Sequence, residues 1–100
     1  MSSPHSKAYQ YETRIIEDVM GGIRIIDQSG GSPDGYSSWW VAEAFQRPIP
    51  QYVKDEFAQA ERARDYTRIP IGIWKEKHMK DLDAFVFMRL SDFLDNFGKG

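Results

Sequence analysis

The strongest constraint on the fold is an apolar run from Trp39 to Phe45 whose one charged residue is Glu43. Such a run predicts a strand that is buried on both faces apart from Glu43. Because side chains alternate along a strand, Glu43 and Phe45 share one face, and Ala42 and Ala44 share the other. A carboxylate in this position is costly to bury unless a cation or hydrogen bonds satisfy it. Glu43 is therefore the first candidate functional residue.

The rest of the chain alternates between helical and strand-like patterns. Strands are expected over 23–27, 39–45, 69–74 and 85–90. Helices are expected over 8–20, from about Pro50 onward, and over 92–97 with Ser91 as N-cap. The segment 28–38 is rich in glycine and serine and predicts a loop or a hairpin turn. The order α-β-β-α-β-β-α indicates an α/β fold, a central mixed four-stranded sheet flanked by helices.

Length and composition limit the class of protein. One hundred residues with 41% hydrophobic content suit one modest core, so we expect a single domain over 8–97 with tails at 1–7 and 98–100. The chain lacks cysteine, which excludes thiolate metal sites and disulfides. The net charge of -2 argues against bulk coating of nucleic acid but allows a local basic surface. No apolar stretch predicts a membrane span, so a cytoplasmic protein is expected.

Two further carboxylates are candidates for a site shared with Glu43. Asp34 lies in the loop that enters the apolar strand, and Glu12 lies on the first helix. If that helix packs beside the strand, the three could converge and bind Mg²⁺ or Mn²⁺, which prefer oxygen ligands. Such an ion can polarise a phosphate and activate water. The alternatives are that Asp34 is a turn former and that Glu43 pairs with an arginine from a neighbouring element.

Several segments together resemble the small PD-(D/E)XK nucleases, in particular phage and prophage proteins related to Holliday junction resolvases. The matching segments are Tyr11-Glu12, Ser29 to Asp34, Trp39 to Glu43, Ala58 to Ala63, Ile69 to Ile73 and Phe85 to Leu94. The resemblance implies a restriction-endonuclease-like core and Mg²⁺-dependent, structure-specific cleavage of branched or duplex DNA in the host cell of a phage. It also implies that Glu12, Asp34 and Glu43 bind the metal and that Gln59 faces the site.

The chain departs from this family at Phe45, where the resemblance predicts the catalytic lysine. Arg47 returns to the face of Glu43 and is the best substitute, ahead of Gln46 and Lys54. Arginine can hold a phosphate but is a poor proton acceptor, because its pKa is very high. Two functions therefore stay open: an endonuclease with weakened activity, and a catalytically inactive module with the nuclease fold that binds DNA or a protein partner. An unrelated small α/β adaptor is a third.

A basic segment between the last two predicted strands is the candidate DNA-contacting surface. Its lysines are Lys75, Lys77 and Lys80. The alternative is a solvated loop, since acidic residues are interspersed there. A homodimer is also expected for a resolvase-like enzyme, because a two-fold DNA junction needs two sites.

Overall fold

The computed structural model describes residues 7–26 and 30–100 and divides the chain into two compact units. The first unit comprises residues 1–47 and 97–100, and the second comprises residues 48–96. The predicted tail lies outside the described residues up to Ser6, as does Asp27 of the first predicted strand. The single domain over 8–97 stays a prediction. In the described part of the chain, no helix combines the length and the apolar character that a membrane span requires.

The first unit begins with a helix that changes its winding. Helix α1, Lys7–Thr13, continues as a π-helix over Arg14–Val19. At its end the Met20 amide donates to the Ile15 carbonyl at 3.0 Å, which is the wider spacing of a π-helix. Gly21, with φ of 70°, follows directly and takes the left-handed conformation common just after helices. The predicted extent of this helix agrees with the structure, whereas its π-helical half was not foreseen.

Three short antiparallel strands form the sheet of the first unit, in the order β1-β2-β3. They are β1, Ile23–Arg24; β2, Gly35–Tyr36; and β3, Val41–Ala42. Strand β2 lies inside the predicted loop. Glycine is common in turns, but at Gly35 the missing side chain instead lets Ile16 approach the strand closely. Ile16 packs directly over Gly35, where any side chain would collide with it. The sheet therefore has one face against the π-helix.

The other face of this sheet is exposed, so the prediction of a strand buried on both faces is wrong. Ile23, Tyr36 and Val41 lie opposite one another on neighbouring strands and are all exposed, Val41 by 73%. Alternation along the chain is as predicted, since Ala44 is buried while Glu43 and Phe45 are exposed. A pattern of apolar residues predicted the strand but could not show that one of its faces is uncovered.

The second unit combines two helices with a two-stranded antiparallel sheet. Helix α2 spans Gln51–Arg62 directly after Pro50, as predicted. Strand β4, Gly72–Trp74, pairs with β5, Phe85–Phe87, and α3 spans Leu90–Phe97, ending where the first unit resumes. Ser91 lies inside α3, so its prediction as N-cap is wrong. The Phe93 amide already donates to the Arg89 carbonyl at 3.1 Å, which starts the helix earlier.

Aromatic packing and a forked ion pair hold the second unit together. The rings of Phe57 on α2 and Phe87 on β5 lie 5.4 Å apart. Arg64 donates to both carboxylate oxygens of Asp92, at 2.9 and 2.6 Å, and this bidentate geometry joins α3 to the segment that follows α2. The fold is thus mixed α/β with small antiparallel sheets. The predicted mixed four-stranded sheet is not seen in the described residues, which pair as separate sheets of three and two strands.

Candidate functional site

Arg24 is the centre of a charged cluster in the first unit. It lies on β1 opposite Gly35 of β2, and paired residues of antiparallel strands project from the same face. The space over Gly35 is filled by Ile16 of the helix that covers this face. The Nη2 atom of Arg24 donates a hydrogen bond to the Glu12 carboxylate on α1. Only 4% of the Arg24 side chain is exposed.

Asp34 is held on the other side of Arg24 by its backbone and by its side chain. Arg24 Nη1 donates to the Asp34 carbonyl at 2.5 Å and lies 3.6 Å from its Oδ1 atom. Oδ2 accepts a hydrogen bond of 2.7 Å from the amide of Ala44, just beyond β3. The Tyr9 ring also lies against the guanidinium, with 5.3 Å between the ring centroid and Cζ of Arg24. Arg24 therefore links α1 to the residue before β2, and Asp34 in turn links that residue to the segment after β3.

Glu43 lies at the exposed edge of this group. Loss of hydration raises the pKa of Glu43 above its ordinary value, and the nearby carboxylates of Asp34 and Glu12 raise it further. Arg24 acts in the opposite direction and lowers it. The structure thus places all three predicted carboxylates within electrostatic reach of one another. We call Arg24, Glu12, Asp34 and Glu43 the Arg24 cluster.

The Arg24 cluster does not fit a divalent metal ion in the arrangement observed. Within residues 7–26 and 30–100, no three aspartate, glutamate or histidine side chains are arranged to hold one. The guanidinium contacts both Glu12 and Asp34, so its one positive charge offsets part of their negative charge and occupies the space between them. The two carboxylates would have to lose Arg24 before they could bind Mg²⁺ or Mn²⁺. Metal binding stays a prediction.

The other predicted catalytic residues of the first unit have no described hydrogen bond or ion pair with the Arg24 cluster. Phe45, where the resemblance predicts lysine, is 71% exposed. Arg47 is exposed, and its Nη1 donates to the Gln46 carbonyl at 3.1 Å. Gln59 is exposed on α2 and belongs to the second unit. No described contact therefore supplies the proton acceptor that the missing lysine would provide.

The predicted DNA-contacting lysines lie in the loop between β4 and β5. Lys75 Nζ donates to Asp81 at 2.9 Å and to the Met79 carbonyl at 3.0 Å, so this lysine fastens the loop. Lys77 and Lys80 are exposed. Of the predicted lysines, these two are better placed than Lys75 to meet a phosphate.

Arg24 is a residue of the site that local sequence patterns did not predict. It is a lone charge inside the β-branched run Ile23 to Ile26, just as Glu43 is a lone charge in the apolar run 39–45. The alternative that Glu43 pairs with an arginine named no residue, and Arg24 pairs with Glu12 and Asp34 while acting on Glu43 only through its charge. The lone charges of opposite sign in these two strand-like runs were the signal from which a charged cluster could have been predicted.

Comparisons of the chain with protein-family models, with curated proteins and with solved structures find no match.

Proposed function

We propose that this chain is a binding module that keeps a nuclease-like group of carboxylates but does not cut DNA. The observation that carries the proposal is the contact of the Arg24 guanidinium with Glu12 and Asp34. A buried cation supplied by the chain itself satisfies carboxylates that would otherwise need a metal ion. The acids then serve to hold the first unit together.

The residue at the lysine position supports the same proposal. Phe45 cannot orient or deprotonate a water molecule, and it is largely exposed rather than packed. Val41 is exposed on the same side of β3 and adds to an uncovered apolar surface. Exposed apolar groups that lie together are typical of surfaces that contact another protein. A protein partner therefore suits this unit better than hydrolysis does.

A Mg²⁺-dependent endonuclease for branched or duplex DNA, acting as a homodimer, is the second candidate. The proximity of Glu12, Asp34 and Glu43 favours it, because the chain separates these residues widely. The carboxylates of Asp34 and Glu12 add to the loss of hydration in raising the pKa of Glu43, and a bound cation would relieve this repulsion. This candidate requires that Arg24 give way to the ion.

A cleavage assay separates the two candidates. The native protein, Phe45→Lys and Glu43→Gln are incubated with a four-way DNA junction and a linear duplex, in Mg²⁺ and in Mn²⁺. We expect no cleavage by the native protein or by Glu43→Gln, and recovery by Phe45→Lys would show that this position limits the chemistry. Cleavage by the native protein that Glu43→Gln abolishes, while the matched surface variant Glu17→Gln retains it, would establish the enzyme.

A further inference from the structure

An open, aromatic cleft in the second unit is distinct from the Arg24 cluster. The cleft has a volume of about 370 Å³. We call it the aromatic cleft, and it is lined by Tyr52, Trp74, Glu76, Met79 and Phe85. Tyr52 lies in the first turn of α2, and Trp74 of β4 pairs directly with Phe85 of β5. Helix and sheet thus each contribute aromatic walls.

The aromatic walls are ordered but uncovered. The rings of Tyr52 and Trp74 meet edge to face, 6.1 Å apart. Even so, Tyr52 is 62% exposed and Phe85 is 69% exposed. Large rings held in place at the surface form ready binding pockets, because little side-chain entropy remains to be lost on binding.

The loop that closes the aromatic cleft is fixed by its own hydrogen bonds. The Met79 amide donates to the Glu76 carbonyl at 3.0 Å, and the Glu76 amide donates to the Met79 sulfur at 3.2 Å. Lys75 binds Asp81 and the Met79 carbonyl and thereby pins the other side of the loop. Glu76 and Met79 therefore stand at defined positions beside the rings.

The charge of the lining is negative. Glu76 is the charged residue of the aromatic cleft, and a second cleft that shares Tyr52 and Trp74 is lined by Glu56. Among the described residues, neither lining includes a lysine or an arginine. Aromatic faces attract cations, and a neighbouring carboxylate adds to that attraction. The same carboxylates repel the phosphates of a nucleic acid.

We propose that the aromatic cleft binds an arginine side chain carried by a segment of a partner protein. The guanidinium stacks on the rings of Trp74 or Tyr52, while Glu76 pairs with its charge. The inference rests on the proposed function in one respect, namely that the chain acts by binding. It uses residues of the second unit alone, so cleavage of DNA by the first unit would not affect it.

Nuclear magnetic resonance on the full chain tests the inference with a short capped arginine–glycine peptide. A matched peptide with neutral citrulline in place of arginine isolates the charge, and an oligothymidylate tests nucleic acid. We expect saturable shifts of the Trp74 indole resonance with the arginine peptide. Glu76→Gln should weaken this binding by about 2- to 5-fold, the effect of one exposed ion pair. The nearby variant Asp83→Asn should leave it unchanged.

Three results would overturn the inference. Equal binding of the citrulline peptide would make the cleft a plain apolar groove. Binding of oligothymidylate that Glu76→Gln strengthens would make it a nucleic-acid surface. Absence of saturable shifts with the arginine peptide, in protein whose spectrum shows it folded, would remove the site altogether.

Discussion

The guanidinium of Arg24 on β1 donates a hydrogen bond to the carboxylate of Glu12 on α1. This contact joins the first helix to the sheet through a charge that is almost fully buried. Where the resemblance predicts a metal ion among carboxylates, the chain provides its own cation. The first unit should consequently fold without any divalent ion.

Removal of the Arg24 charge should destabilise the first unit. In Arg24→Met, the carboxylates of Glu12 and Asp34 lose their counter-charge, which typically costs about 3–5 kcal/mol for a buried pair. Urea unfolding at neutral pH measures this loss. The exposed control Arg47→Met should change stability by less than about 0.5 kcal/mol, and an equal effect of both substitutions would contradict the role of Arg24.

Neutralisation of Glu43 should stabilise the protein at neutral pH. The folded state raises the pKa of Glu43, chiefly through loss of hydration, so folding disfavours its ionised form. This penalty is present above the raised pKa and disappears as the pH falls below the ordinary value. Glu43→Gln should therefore gain less than about 1 kcal/mol at neutral pH, a small effect because the group is exposed. Thermal unfolding across pH, with Glu17→Gln as control, measures whether Glu43→Gln raises or lowers stability. A loss of stability at neutral pH would contradict the prediction.

The core of the first unit should depend on Ile16. This side chain is fully buried over Gly35, so Ile16→Ala should cost about 2–5 kcal/mol through lost burial and the cavity left behind. Ile23 is exposed on the other face of the same sheet. Ile23→Ala should cost less than about 0.5 kcal/mol. Denaturant unfolding of the pair compares the two faces, and similar losses would show that the outer face is packed.

The ion pair of Asp92 should make the second unit sensitive to acid. Its hydrogen bonds with Arg64 lower the pKa of the buried Asp92. The stability that this provides is present above the ordinary pKa of aspartate and is lost as the pH falls through the lowered value. Asp92→Asn should be less stable than the native protein at neutral pH and should approach it in acid. In thermal melts across pH, an Asp92→Asn profile parallel to the native one would exclude this role.

Local sequence patterns predicted the helices and the later strands better than the first sheet. Pro50 and the periodic apolar residues after it placed α2, and the apolar runs at 69–74 and 85–90 contain β4 and β5. The glycine and serine around Gly35 indicated a loop, because composition does not distinguish a turn from a strand that passes under Ile16. Register and coverage of a sheet depend on distant residues, which local periodicity does not record.

The acids of the site could be predicted, but the cation could not. Glu43 and Asp34 were conspicuous because an apolar or glycine-rich setting makes a charge stand out. Arg24 was equally isolated among isoleucines, yet its meaning depends on the pairing of β1 with β2, which places it opposite Gly35. That long-range pairing, and with it the partner of Glu12, became visible only in the fold.

The most direct test of the claim that Arg24 takes the place of a metal ion is a calorimetric titration of the native protein with Mn²⁺, with and without duplex DNA. Because the Arg24 guanidinium already contacts both Glu12 and Asp34, we expect no saturable binding at the Arg24 cluster under either condition. Saturable one-to-one binding that Glu43→Gln or Asp34→Asn abolishes, in variants that remain folded, would contradict it and would restore the metal-dependent enzyme.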